Sequence, residues 1–476
     1  MAEKILFCAS ECTPFISSGG LGDVAGSLPN ALCKAGMDCR VVLPLYGDMS
    51  EEYRSRLEYV TSFNVELAWR NQYCGLFRLV KDNVTYYFLD NEYYFKRSGL
   101  YGFYDDGERF AFFSRAILEM LKNCDFAPDI IHCNDWQTAL TNVFINVFYR
   151  SDPKFARIKT LFTIHNIQYQ GKYGLDMLND VLGIGEENAG LVEYHGGVNY
   201  MKGAIVCSDR VNTVSPTYSR EILDPWYGHG LDGLLRENSS KLQGILNGID
   251  TVGYDPSGDC GIAANYSASD FQDHKAECKK ALNSEFGLDD DGSPVIAIVS
   301  RLADHKGIDL VSQVLEYMLL SNIHVVVLGS GEYAYENMFR VFAAKYPSRC
   351  GVRIGFDSAL ARRIYAGADM FLMPSKSEPC GLSQMIALRY GTIPIVRVTG
   401  GLADTITDCG DSSGNGFTFQ SYNAHDMLDA LLRAKKAYDN KGLWNDIVTR
   451  AMKCDFSWTQ SAQSYIALYD KMLTLW

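Results

Sequence analysis

The sequence predicts an α/β protein made of two doubly wound domains in tandem. Three observations carry that prediction. The chain has 476 residues, more than one hydrophobic core usually supports, so two domains of roughly 200 residues or more are expected. In each half, short and uniformly apolar runs alternate with segments of helical periodicity, the pattern of parallel strands covered on both faces. A hydrophobic fraction of 47% with 21% charged residues is that of a soluble globular chain, and no stretch approaches the roughly twenty apolar residues of a membrane span.

The elements follow in order. Lys4–Ala9 (KILFCA) reads as the first strand, and a helix runs from about Asp23 to Ala35, with Gly36 as its C-cap. Arg40–Pro44 (RVVLP) is the next strand and completes a βαβ unit. DIIHCN, a helix over Thr138–Tyr149, KTLFTIHN and RVNTVS continue the series. In the second half, Pro294–Arg301, Asn322–Gly331, Val352–Phe356, Asp369–Ser375 and Thr392–Gly401 read as strands separated by helices. The boundary falls in Lys241–Asp250, which gives an N-terminal domain over 1–243 and a C-terminal domain over 244–455. The last segment, 456–476, contains an amphipathic helix with Ser457 as a candidate N-cap, expected to return to the first domain. Doubly wound sheets bind ligands at the carboxyl ends of their strands, so a cleft is expected where the two carboxyl edges face each other.

Composition excludes several functions. A formal net charge of −13 argues against nucleic acid or an anionic membrane as partner. The 14 cysteines include no C-x-x-C pair and several lie in apolar runs, so they read as reduced thiols. MAEKILFCAS passes directly into a strand-like run without a leader, and the expected location is the cytoplasm. None of the eight histidines pairs at ligand spacing on a helix, and Asp289–Asp291 reads as a solvated turn, so neither metal nor cofactor is expected.

The candidate chemistry lies at strand ends. Arg301 follows a strand and Lys306 precedes a helix, a spacing that suits a diphosphate clamp, although two solvated cations at a helix entry would look the same. Glu378 sits in a loop bounded by Pro and Gly, before a helix start at Gly381–Ser383 whose amides could receive an anion. Glu378 could hold sugar hydroxyls there or merely support the helix cap. His165 ends one strand and Asp135 another; each alone reads equally as a structural residue. The aromatic stretch Tyr86–Phe110 suits either carbohydrate rings or packing. Gly20–Ala25 (GLGDVA) fits a dinucleotide fingerprint, but about ten residues separate it from the strand at Ala9, and VVLPLY ends without the expected acidic residue. An oxidoreductase is therefore disfavoured.

Together GGLGDVAGSLPNAL, HCNDWQTAL, HNIQYQG, VNTVSPTYSREI, GILNGID, SRLADHKGID, SEPCGLSQMIALRYGTIPIVRVTGGLADTI and FSWTQSAQSY span nearly the whole chain. In this order they resemble the bacterial glycogen synthases and plant starch synthases, retaining glucosyltransferases of the GT-B fold with two facing Rossmann-like domains. The resemblance implies transfer of glucose from ADP-glucose to the non-reducing end of an α-1,4-glucan such as glycogen or a malto-oligosaccharide, without a metal. It also leaves open a UDP-glucose-preferring synthase or a non-catalytic glucan-binding homologue, and it sets no oligomeric state. Carried across by motif, Arg301 and Lys306 would neutralise the leaving diphosphate. Glu378 and Cys380, with the amides of Gly381 and Leu382, would hold the donor glucose. His165 would lie beside the anomeric carbon, Asp135 and Asn247 would line the cleft, and the loop of Ser17, Gly19 and Gly20 with the helix start at Asp23 would form its wall. Two positions depart from the pattern. The family reads Lys-x-Gly-Gly-Leu where this chain has Ser17 in SSGGL, and it generally has a Trp-Asn-Pro ending where this chain reads GIDTVGYDP. Loss of one charge-assisted phosphate contact costs about 1.5–3 kcal/mol.

Overall fold

The computed structural model describes residues 3–410 and 413–474. The chain divides into two compact units, Met1–Asn247 with Trp458–Trp476, and Gly248–Ser457. Each is an α/β unit around its own sheet.

In the first unit the strands are β1 (Lys4–Cys8), β2 (Asp38–Pro44), β3 (Glu58–Leu67), β4 (Arg70–Lys81), β5 (Val84–Asp90), β6 (Ile130–Asn134) and β7 (Lys159–Ile164). Three short strands, β8 (Lys172–Tyr173), β9 (Glu193–Tyr194) and β10 (Gly197–Asn199), form a separate small sheet, and β11 (Arg210–Thr213) and β12 (Leu242–Gly244) complete the main one. The nine-stranded order is β12-β11-β7-β6-β1-β2-β5-β4-β3. Strands β12 through β5 in this order pair in parallel, while β4 pairs antiparallel with both β5 and β3. From β1 the chain moves first to β2 on one side and later to β6 on the other. The gap between β1 and β6 is therefore a topological switch point, where the loops diverge and leave a crevice.

The first helix begins at Gly20, three residues before the position read from the sequence, and extends to Lys34. Glycines are poor helix formers, but the buried face starts at Leu21 and continues through Val24 and Leu28 at helical spacing, so packing overrides propensity. The helix read over Thr138–Tyr149 runs from Trp136 to Phe144 and then widens into a π-turn over Ile145–Tyr149. The C-terminal helix, Trp458–Thr474, packs into the core of the first unit through Trp458, Tyr465, Leu468, Tyr469 and Met472. Its polar tips are paired as well. The Asn212 side-chain amide donates to the Tyr465 hydroxyl at 3.0 Å, and buried His132 sits between the Tyr469 hydroxyl (2.9 Å) and the Thr163 hydroxyl (2.7 Å). Each large apolar side chain buried in this way contributes about 1.5–3 kcal/mol.

The second unit has a six-stranded parallel sheet of β13 (Val295–Val299), β14 (His324–Gly329), β15 (Cys350–Ile354), β16 (Met370–Met373), β17 (Ile393–Arg397) and β18 (Phe417–Phe419). Its order is β15-β14-β13-β16-β17-β18, so its switch point lies between β13 and β16. The GIDTVGYDP segment folds as a turn: the Asp250 carboxylate accepts the amides of Val252 (3.0 Å) and Gly253 (2.9 Å), and Arg362 lies 4.6 Å over the Tyr254 ring. Among the described residues no helix is long and apolar enough to cross a membrane.

Candidate functional site

The sequence candidates collect at the two switch points. In the first unit the loop after β1 carries Glu11 and the exposed Ser17–Gly20 segment, where the 15-residue helix from Gly20 to Lys34 begins. Asp23 lies in the first turn of that helix, where a carboxylate favours the positive end of the helix dipole. Thr13 donates to Asp23 at 3.4 Å, but desolvation of the carboxylate by the surrounding protein outweighs this bond and raises its pKa. The Ser17 hydroxyl donates to the Gly19 carbonyl at 3.3 Å.

Glu11, which motif reading passed over, shapes this loop. It is buried beneath it and accepts both the Ser18 amide and the Ser18 hydroxyl, the latter at 2.9 Å. Burial raises its pKa despite those two bonds. The polar stretch ASEC gives only a faint signal of its role, a carboxylate just past a strand end.

Across the switch point, Asp135 follows β6 directly, with φ 54° and ψ 178°. That backbone region is nearly confined to glycine, costs of order 1–3 kcal/mol, and persists where the surroundings enforce it. Here two backbone amides hold the carboxylate, His165 at 2.8 Å and Asn166 at 3.4 Å. Burial still pushes the Asp135 pKa up to about 7, and the nearby Glu11 charge adds to the rise. His165, at the end of β7, is driven the other way, to about 3, by burial alone. Its Nε2 lies 2.9 Å from Asn134 Oδ1, while the Asn134 side-chain NH2 donates to the Cys8 carbonyl at 3.0 Å. That oxygen can only accept, so Nε2 carries the hydrogen of the neutral ring and Nδ1 is left as an acceptor. Asn247 is buried at the end of the unit, and its Oδ1 has no hydrogen-bond partner within the protein. A buried amide oxygen without a partner is costly, which suits a group completed by a ligand.

In the second unit the loops after β13 and β16 bring Lys306 and Glu378 together. Lys306 Nζ donates to Glu378 Oε2 at 2.7 Å, and the Ser375 hydroxyl donates to the same oxygen at 2.9 Å. The sequence reading gave these residues separate tasks, phosphate and sugar, without a mutual contact; the structure makes them one ion pair. Exposed Arg301 reaches His305 Nε2 at 3.3 Å. Burial lowers the His305 pKa, and the Lys306 and Arg301 charges lower it further, so His305 adds no positive charge to the cluster near neutrality. Cys380 is buried, Gly381 has φ +71°, and Leu382 precedes a seven-residue helix, Ser383–Arg389. Below them Gln384 is fully buried: its Nε2 donates to the carbonyls of Cys380 (3.1 Å) and Gly381 (3.0 Å), and its Oε1 is unpartnered.

The TGGL segment fixes this loop from the other side. A Cβ on Gly400, which has φ +45°, would lie 1.9 Å from the Glu378 carbonyl, and one on Gly401 would lie 2.0 Å from the Cys380 carbonyl. Only glycines let the two backbones approach this closely. The carboxyl edge also carries Phe356, two residues past β15 and 93% exposed, which the sequence reading had assigned only to a strand. Among the described residues no group of three His, Cys, Asp or Glu could hold a metal ion.

Comparison with known proteins gives this geometry a context. Residues 4–237 match the starch synthase catalytic domain model, and residues 280–445 match the model of glycosyl transferases group 1. The glycogen synthase of Bacillus cereus (strain B4264) is 48% identical over 475 residues, covering 99% of this chain and 100% of that protein. The chain belongs to the glycogen and starch synthase family. The synthase is also 51% identical over 475 residues to the glycogen synthase of Desulforamulus reducens, with 99% of each chain covered. The solved catalytic domain of starch synthase IV from Arabidopsis thaliana, bound to ADP and acarbose, superposes with a TM-score of 0.91 at 34% identity, covering 100% of each chain. The synthase is accordingly a hexosyltransferase with the two-domain α/β architecture of that family, and a dinucleotide-dependent oxidoreductase is excluded.

Proposed function

We propose that this synthase transfers glucose from ADP-glucose to the non-reducing end of an α-1,4-glucan with retention of configuration. The observation that carries the choice of donor is the full-length structural likeness to a starch synthase domain that holds ADP and acarbose. The charge distribution supports a division of labour. The edge of the first unit carries Glu11, Asp23 and Asp135 beside the Ser17 loop, whereas Arg301 and Lys306 lie at the edge of the second. The diphosphate is therefore assigned to Arg301 and Lys306, whose preset charges stabilise the negative charge that develops as the C1–O bond breaks. Lys306 has three donors and gives one to Glu378, so it can tie the phosphate to the carboxylate that orients the glucose.

Glu378, Cys380 and the amides of Gly381 and Leu382 hold the transferring sugar. His165, kept neutral by burial, accepts a sugar hydroxyl near the anomeric carbon on Nδ1, its Nε2 hydrogen being held by Asn134. Asp135 positions the His165 backbone, Asn247 receives a sugar hydroxyl on its unpartnered oxygen, and the exposed Phe356 ring offers a face on which the adenine stacks. Ser17, Gly19 and Gly20 supply backbone rather than charge. The test is ADP release on mixing the purified protein with ADP-glucose and glycogen. Stoichiometric ADP with glucan elongation is expected; no release at high enzyme concentration, or release only from UDP-glucose, would overturn the assignment. Arg301→Ala should lower kcat/KM at least a hundredfold, about 2.7 kcal/mol of transition-state stabilisation.

A further inference from the structure

A second built surface lies on the first unit, away from its switch point. Strand β4 runs past the last residue of β5: Gly75 pairs with Asp90, so residues 70–74 project beyond the parallel part of the sheet on its carboxyl side. A cavity of about 410 Å³ opens there, lined by Trp69, Arg70, Asn71, Gln72, Tyr93 and Glu108. Two of its rings face solvent, Trp69 at 74% exposure and Tyr93 at 66%.

An exposed tryptophan at a hairpin turn would ordinarily sample several rotamers, but this one is fixed. Its Nε1 donates to Asp180 Oδ1 at 2.8 Å, and the Arg70 guanidinium stacks 4.4 Å over the ring. Arg70 is itself largely buried and held by Glu108 at 3.0 Å, by the Asp180 carboxylate at 3.0 Å and by the Asp180 carbonyl. An ionic network, open to solvent at Asp180, thus fixes an apolar face toward water, and surface ion pairs of this kind add little stability of their own. The network also neutralises Arg70, so the cleft offers a ligand no unbalanced cation. What remains is an aromatic face beside the side-chain amides of Asn71 and Gln72, which matches a neutral polyhydroxylated ring with a C–H face to stack and hydroxyls to bind.

Counting along the sheet, β4 lies four strands from β6 and its Asp135, about 19 Å at the usual strand spacing of roughly 4.8 Å. We infer that this cleft binds an internal stretch of the α-glucan chain and raises the local concentration of acceptor ends. The inference rests on the proposed glucan acceptor and adds a site remote from the transfer chemistry. Tethering at such a site raises affinity for long chains and leaves short ones unaffected.

The test compares wild type with Trp69→Ala, Tyr93→Ala and Trp69→Phe on glycogen and on maltotriose. Trp69→Ala should weaken glycogen binding, read by retardation in native gels containing glycogen, by about tenfold, and should raise the glycogen KM to match. The kcat and KM on maltotriose should stay within twofold, which also shows that the variant is folded. Tyr93→Ala should shift the same readouts in the same direction, and Trp69→Phe should restore most of the binding. Unchanged glycogen retardation in Trp69→Ala, or an equal loss on maltotriose and glycogen, would overturn the inference. A wild-type protein that binds glycogen through Trp69 yet transfers no glucose would overturn the proposed reaction instead and leave this site standing.

Discussion

Replacing Lys306 with alanine separates what the Lys306–Glu378 pair does for the fold from what it does for chemistry. In the unliganded protein the substitution leaves the Glu378 carboxylate, only 7% exposed, with Ser375 as its remaining side-chain partner. Breaking a fully buried ion pair costs roughly 3–5 kcal/mol, because the surviving charge is stranded. Here the Lys306 side chain is 20% exposed and Ser375 still donates, so the expected loss is about 2–3 kcal/mol. The second unit has about 210 residues, for which 1 kcal/mol corresponds to about 2–4 °C in Tm. Calorimetry should therefore show the unfolding transition of this unit shifted down by about 5–10 °C. The control is Lys306→Ala combined with Glu378→Gln, which removes the stranded charge and keeps the side-chain shape. It should recover most of the lost stability while remaining inactive with donor and glycogen. A single variant that melts with wild type, or a double variant no more stable than the single, would refute the claim that Glu378 depends on Lys306.

Other consequences can be checked independently. Over about pH 4–6.5 the raised pKa of Asp135 and the lowered pKa of His165 oppose each other. The folded protein holds a proton on Asp135 that the unfolded chain releases, so that term weakens stability as pH rises to about 7; neutral His165 weakens it as pH falls from about 6.5 toward 3. Relative to wild type, Asp135→Asn should therefore shift the slope of stability against pH in this window upward and His165→Gln should shift it downward; urea titrations showing the two slopes shifted in the same direction would contradict the assignment. Ser17→Lys, which restores the charge usual in the family, should lower the KM for ADP-glucose about tenfold, the worth of one charge-assisted bond, and an unchanged or higher KM would show that the cluster at Arg301 has replaced that lysine. Gly401→Ala places a Cβ 2.0 Å from the Cys380 carbonyl; it should displace the Glu378–Cys380 loop and abolish most turnover, read as kcat loss with the transition of the first unit unmoved.

The sequence was most legible where burial is two-sided and chemistry is local. The parallel strands are short apolar runs with little alternative, and the loops after β1, β6, β13 and β16 could be named as candidate site loops because a doubly wound sheet exposes its carboxyl ends. The β3–β4 hairpin was not read at all. Glu58–Leu67 lies at the sheet edge with alternating exposure, its β-propensity is diluted by Glu, Ser and Asn, and antiparallel pairing at the end of a parallel sheet breaks the βαβ rhythm. The aromatic stretch Tyr86–Phe110 is packing for the most part. Tyr86, Tyr94, Phe95 and Phe110 are core, while Tyr93 faces solvent beside Trp69, a residue brought there by the hairpin that went unread.

Long-range pairing accounts for the rest of what sequence could not yield. Lys306 and Glu378 stand 72 positions apart, and nothing in either motif says that one neutralises the other; only the adjacency of β13 and β16 makes them a pair. The same holds for the serine at position 17. Read along the chain, it is a missing cation. In the fold, the loop that carries it rests on a buried Glu11 and stands in a switch point shared with Asp135, each carboxyl raised in pKa by burial. A lysine there would meet carboxyls as well as any donor phosphate. With serine the loop can remain ordered by its own backbone and by Ser18, and on the proposed assignment the charge that the diphosphate requires is concentrated on Arg301 and Lys306.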